Sequence, residues 1–144
     1  MTVGARSRNF ILVSDEGDCK RRRFLNGGTA VSAGDMLTLS SNTLSEVTGA
    51  NTVGAFGVAA EDIAASEYGT CYCGGMFKGA AVSGVDFTIG DLVYNADKDT
   101  LGTGSATHIP VGRVTPYNDT DPASGGTVYF DLWSIQFVVP AAKS

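Results

Sequence analysis

Apolar positions along the chain come in short runs, each stopped by Gly, Asp, Asn or Ser. "FILV" at 10–13 is the first strand candidate, "SDEGD" at 14–18 a turn, and "CKRRRF" at 19–24 the return strand of a hairpin. After "LNGGT" come "AGDMLTL" (33–39), "FGVA" (56–59), "TCYCG" (70–74), "LVYN" (92–95), "VGRV" (111–114) and "TVYFDLW" (127–133). Runs this short between turn residues predict strands rather than helices. Only "AAEDIAASEY" at 59–68 has room for a helical turn or two. The polar "MTVGARSRN" at 1–9 reads as an arm, and residues 140–144 as a tail.

The pattern repeats. "AGDMLTL" resembles "IGDLVYN", with Gly34 and Gly90 lying 56 residues apart. "GAFGVAA" resembles "IPVGRVT", with Gly57 and Gly112 lying 55 apart, and "YGTCYCG" resembles "GGTVYFD", with Gly69 and Gly126 lying 57 apart. Three matches in one order at a near-constant offset predict two copies of one β unit, about 33–88 and 89–139, within a domain spanning 10–139. In each copy the Gly-Asp pair calls for a turn in which Gly takes positive φ and Asp bonds nearby backbone N–H groups. The Gly inside each short strand marks a bulge or a close backbone approach. The expected fold is all-β with little helix: a small β-barrel or β-sandwich built from two similar β units, with an extended N-terminal arm.

Composition narrows the function. A chain of 144 residues, 43% apolar, needs no disulfide or metal to fold. Its net charge of −5 argues against direct nucleic-acid binding. No apolar run reaches the roughly 20 residues that span a bilayer, and the N-terminus has no signal-peptide order, so the expectation is a cytoplasmic product without a membrane partner. Three cysteines agree with free thiols. Positive charge is uneven: six of the ten Lys and Arg residues precede position 24, which fits a segment that meets an acidic surface.

Candidate chemistry is sparse. Cys71 and Cys73 sit at i, i+2 on a strand and so share a face, in the places that the second copy gives to Val128 and Phe130. Core filling is the preferred reading over metal or redox chemistry, because two thiols fall short of the four ligands zinc takes. His108 is the only histidine and has no partner motif. "DKDTLG" at 97–102 fails as a calcium loop, with Leu101 at its fifth position and His108 at its twelfth. "GTGS" at 102–105 lacks the Lys of a phosphate-binding loop. No enzyme and no cofactor are expected. "KRRR" at 20–23 is the strongest polar feature, open between pairing with Asp15, Glu16 and Asp18 and contact with a partner.

The repeated Gly-Asp launch, the run "FGVAAEDIAASEYGTCYCGGMFKGAAV" and the echo "IGDLVYN…PVGRV…GGTVYFDLW" resemble the capsid decoration, or cement, proteins of tailed bacteriophages. Gly57-Val58-Ala59, Glu61-Asp62, Gly69-Thr70, Gly75 and Phe77 follow that family's order, and Gly90-Asp91 with Val93-Tyr94 open the second half. The likeness covers about 10–139; the basic Arg6–Arg23 region and the tail after Pro140 depart from it. The resemblance implies a non-enzymatic virion protein that binds the outer capsid surface and bridges major capsid protein subunits. It further implies a homotrimer or homodimer. On this reading Arg6, Arg8, Asn9, Phe10, Lys20, Arg21, Arg22 and Arg23 meet the capsid, with residues 1–9 as a clasp, and Trp133, Ile135 and Phe137 form the self-contact. The run 129–139 is apolar enough for a strand buried on both faces, or for a central core strand. The alternatives are a tail or baseplate β-module and a carbohydrate- or small-ligand-binding barrel.

Overall fold

The computed structural model describes residues 10–14, 21–40, 43–47, 54–82, 84–104, 108–116 and 127–134. Among these there are eleven strands and no helix: β1 (Ile11–Ser14), β2 (Arg21–Leu25), β3 (Met36–Ser40), β4 (Thr43–Glu46), β5 (Gly57–Ala59), β6 (Tyr68–Tyr72), β7 (Met76–Ala81), β8 (Leu92–Asp97), β9 (Thr100–Gly102), β10 (Gly112–Val114) and β11 (Thr127–Leu132). The stretch 59–68 ends β5 and reaches β6 through bends and a turn, not a helix. Its isolated bridge between Val31 and Ile63 ties it to the stretch between β2 and β3.

One sheet runs β2-β6-β5-β3-β4 and the other β1-β7-β11-β10-β8-β9. Without β1, the two orders are the same, with β2 matching β7, β6 matching β11, β5 matching β10, β3 matching β8 and β4 matching β9. Register agrees as well: Leu37 faces Gly57 where Val93 faces Gly112, and Leu39 faces Leu44 where Asn95 faces Leu101. Each sheet curls until its ends meet in parallel. β7 meets β9 at Ala80↔Thr100 and Ala81↔Leu101, whereas the first ring closes on one bridge, Asn26↔Leu44. The second half therefore closes a five-stranded ring of its own and the first is drawn toward the same ring by a single bridge, rather than the two halves closing one barrel together.

The Gly-Asp turns behave alike in both rings. Gly34 and Gly90 have φ of 92° and 94°, a region that costs a residue with a Cβ. The Asp35 carboxylate accepts the Ser32 N–H at 2.9 Å, and Asp91 accepts the Thr88 N–H at 2.8 Å. Asp35 is buried, and that burial pushes its carboxyl up to about 6; neighbouring Glu46 adds to the rise, while the Ser32 bond and Lys98 oppose it.

The central glycines of β5 and β10 mark close backbone approaches. A Cβ at Gly57 would run into the Tyr72 carbonyl oxygen, and one at Gly112 into that of Asp131. This places Tyr72 opposite Asp131 in the comparison. Ala59 faces Cys71 where Val114 faces Phe130, so Cys71 takes the place of Phe130, and Cys73 that of Leu132. The match of Cys71 with Val128 expected from sequence is off by two residues, because the loop before β11 is longer than the loop before β6.

Two apolar clusters fill the rings. The first holds Phe24, Leu37, Leu44, Ile63, Cys71 and Cys73. The second holds Phe77, Val93, Leu101, Val128, Phe130 and Leu132, and also draws in Met36 and Val58 from the first ring. Met36 and Leu37 are adjacent and both wholly buried, yet they point into different clusters. Alternation along one strand thus packs ring against ring. Backbone bonds reinforce the seam: Met36 N–H donates to the Lys98 carbonyl at 2.9 Å, and Phe10 N–H to that of Gly34 at 3.0 Å.

Candidate functional site

β2 carries the polar signal noted in the sequence. Its burial alternates poorly: Arg21, Arg22 and Arg23 are exposed, Phe24 is buried and Leu25 half-buried. β6 lies alongside in register, with Arg21 facing Tyr72, Arg23 facing Thr70 and Leu25 facing Tyr68. The arginines of the outer face are held by rings. The Arg21 guanidinium lies 5.1 Å from the centroid of Tyr72, and that of Arg23 5.8 Å from the centroid of Tyr68. Contact of this kind orients a planar cation. Tyr68 is itself 60% exposed.

Beside this face the first ring gapes. β2 touches β4 only near Asn26 and Leu44, and between Arg23 and that bridge lies a groove of about 380 Å³. Phe24, Leu44 and Phe56 are among its lining residues, with Arg23, Leu39 and Tyr68 also on its walls. Leu39 is 44% exposed on the wall of this groove. Asn26 pins the far end: wholly buried, it donates Nδ2 to the carbonyls of Thr29 and Ile63 at 2.9 and 3.2 Å and accepts the Gly28 N–H at 3.0 Å.

The other residues expected to bind or react are placed as follows. Phe10 is 3% exposed and belongs to the second core, its ring edge-on to Phe130 at 5.6 Å and seated where Gly79 has no side chain. The ring expected at the capsid thus lies inside the core. Trp133 is half-buried and holds the Arg113 guanidinium 5.3 Å from its ring centroid. β11 is a central strand that buries Val128, Phe130 and Leu132 and turns Asp131 outward, so its described part is buried on one face only. Arg6, Arg8, Asn9, Lys20, Ile135 and Phe137 lie outside the described residues.

Cys71 and Cys73 are buried with their sulfurs 3.6 Å apart. The hydrogen bond to Cys73 and burial push the Cys71 thiol well up, which keeps it protonated and unreactive. Among the described residues no group of three or more His, Cys, Asp or Glu side chains is arranged to hold a metal ion. Among the described residues no helix is long and apolar enough to cross a membrane.

Sequence reasoning found the arginines but missed Tyr68, Tyr72, Leu39 and Phe56. The period-2 spacing of Tyr68, Thr70 and Tyr72 was the available signal for one shared face. The family model described as phage cement protein matches residues 22–131. No curated protein matches the chain.

Proposed function

The chain belongs to the phage cement protein family, which gives it a structural role at the phage capsid, and from that premise we propose that it binds the outer capsid surface and bridges major capsid protein subunits. The observation that supports this reading is the arginine face on β2, set over tyrosine rings beside an open groove, on a scaffold of one closed five-stranded ring and a second sheet of the same strand order. A rigid body that touches two shell subunits gains from effective concentration, so modest individual contacts suffice to hold a seam against the pressure of packaged DNA. Arg21, Arg22 and Arg23 supply charge toward acidic shell groups. Arg6, Arg8, Asn9 and Lys20 extend the same basic region along the chain, with residues 1–9 as a clasp that costs ordering entropy on docking and spans more of the seam. The protein works without a cofactor or a catalytic step. It acts as a homotrimer or homodimer, with Trp133, Ile135 and Phe137 at the self-contact, and is made in the host cytoplasm before joining the virion.

Co-sedimentation with empty expanded capsids tests this reading. The expected result is saturable binding at a symmetric stoichiometry, together with a higher temperature for capsid disruption. Binding that never saturates, or saturates without raising that temperature, would reject the bridging role.

A further inference from the structure

The two rings share a plan but differ at one edge. In the second ring, β1 lies antiparallel along β7, with Ile11 facing Lys78 and Leu12 facing Phe77. The β2–β6 and β7–β11 ladders superimpose in register, which makes Arg23 the counterpart of Lys78, Arg22 of Phe77 and Phe24 of Gly79. Among the described residues no strand occupies the corresponding side of β2. The groove opens on that side, beside Arg23, Leu39 and Tyr68.

From this mismatch we infer that the Arg22–Phe24 edge of β2 receives an extended acidic segment of a shell subunit as an added strand, in the manner in which β7 receives β1. The inference rests on the capsid-binding reading above and deepens it by naming the docking edge. Backbone pairing supplies affinity in such an addition, and alternate side chains supply specificity. Direction follows from the ladder. Asn26 N–H donates to Glu67 across the β6 side, so by alternation Arg23 turns its own N–H and carbonyl away from β6. Side-chain chemistry selects the occupant. Arg23 favours carboxylates on its face of the strand, and the groove with Leu39 and Phe56 takes an apolar residue at alternate positions. A second copy's β2 is disfavoured, because edge-to-edge pairing sets arginine against arginine. The first ring also has no structural need of the strand. Phe24 already fills the core volume that Phe10 must fill from outside where the second ring has Gly79. An edge that the fold leaves complete without a partner is suited to reversible docking.

Two arms test the inference on the full chain. In the first, isotope-labelled protein is titrated with an alternating (Glu-Val)4 peptide and with (Lys-Val)4. The expected result is amide shifts confined to Arg22–Phe24 and Tyr68 with the acidic peptide alone. Shifts elsewhere, or equal shifts with the basic peptide, overturn it. In the second, Arg23→Pro removes the outward N–H while leaving the β6 ladder intact, which edge strands tolerate. It is expected to weaken capsid binding about tenfold or more with the unfolding midpoint unchanged, and Tyr68→Ala to weaken it less. Normal binding by a folded Arg23→Pro overturns the inference even though the capsid-binding reading survives. Failure of the wild-type protein to bind capsids rejects that reading and the shell occupant with it, and the peptide arm then decides whether the edge accepts an acidic strand at all.

Discussion

The first ring, β2 to β6, and the second, β7 to β11, have one strand order and one register but opposite material. The second is filled by large side chains, Phe77 and Phe130, and recruits Phe10 and β1 from outside. The first has Cys71 at the place of Phe130 and Cys73 at that of Leu132, and carries Arg22 where the second buries Phe77. The lesson is that backbone pairing and a few obligatory glycines define the plan, while side-chain volume decides which copy anchors the molecule and which is free to present charge. On the proposed function, the second ring is the structural keel and the first the contact surface.

The sharpest way to break that contrast is to empty each core at the same position. Phe130→Ala should destabilise by about 3–5 kcal/mol, the range for deleting a wholly buried aromatic ring. Cys71→Ala, at the equivalent place, removes one sulfur and should cost about 1–2 kcal/mol. Urea unfolding of both variants checks this; equal losses would mean that the second ring is not the keel.

A smaller effect tests what the rings share. Gly57→Ala and Gly112→Ala each drive a methyl group against a neighbouring carbonyl oxygen, and should cost about 1–3 kcal/mol apiece. Similar losses are expected from both. A neutral substitution at either position would show that its strand does not need the close approach.

These shared positions were also what the sequence made legible. Gly34, Gly90, Gly57 and Gly112 answer to backbone geometry that only glycine satisfies cheaply, so their spacing survives where side chains have diverged. The equivalence of β2 and β7 was not legible, because Arg21–Leu25 and Met76–Ala81 share a position and no chemistry. Gly69 and Gly126 misled for a related reason: they lie 57 apart, whereas the ladders pair Cys71 with the place of Phe130, 59 residues on. Loop length, which sheets tolerate freely, shifted the alignment. Arginines 21–23 stood out as a run, but the groove beside them did not, since Leu39, Phe56 and Tyr68 meet only through the closure of the ring.

The buried turn of the first ring gives a finer probe. Asp35 holds its proton up to about 6, above the ordinary 3.8, so the folded protein keeps a proton that the unfolded chain has lost across that interval. Its contribution to stability is therefore greatest below 3.8 and declines as pH rises to about 6. Asp35→Asn retains an oxygen for the Ser32 N–H and should flatten that decline. Unfolding midpoints at pH 4 and pH 7 check it; an unchanged slope would remove Asp35 as the cause.

The smallest effect on folding is expected at the contact face. Arg23→Gln removes an exposed cation–π contact and should change stability by about 0.5 kcal/mol or less. A loss above that in urea unfolding would make Arg23 part of the scaffold rather than of the surface offered to a partner.

The most direct test of the division between keel and contact surface is cryo-electron microscopy of capsids saturated with this protein. The expected map places β2 and Tyr68 against the shell, with each copy of the protein touching at least two major capsid protein subunits. A map in which the second ring makes the shell contact, or in which each copy rests on a single subunit, would contradict it.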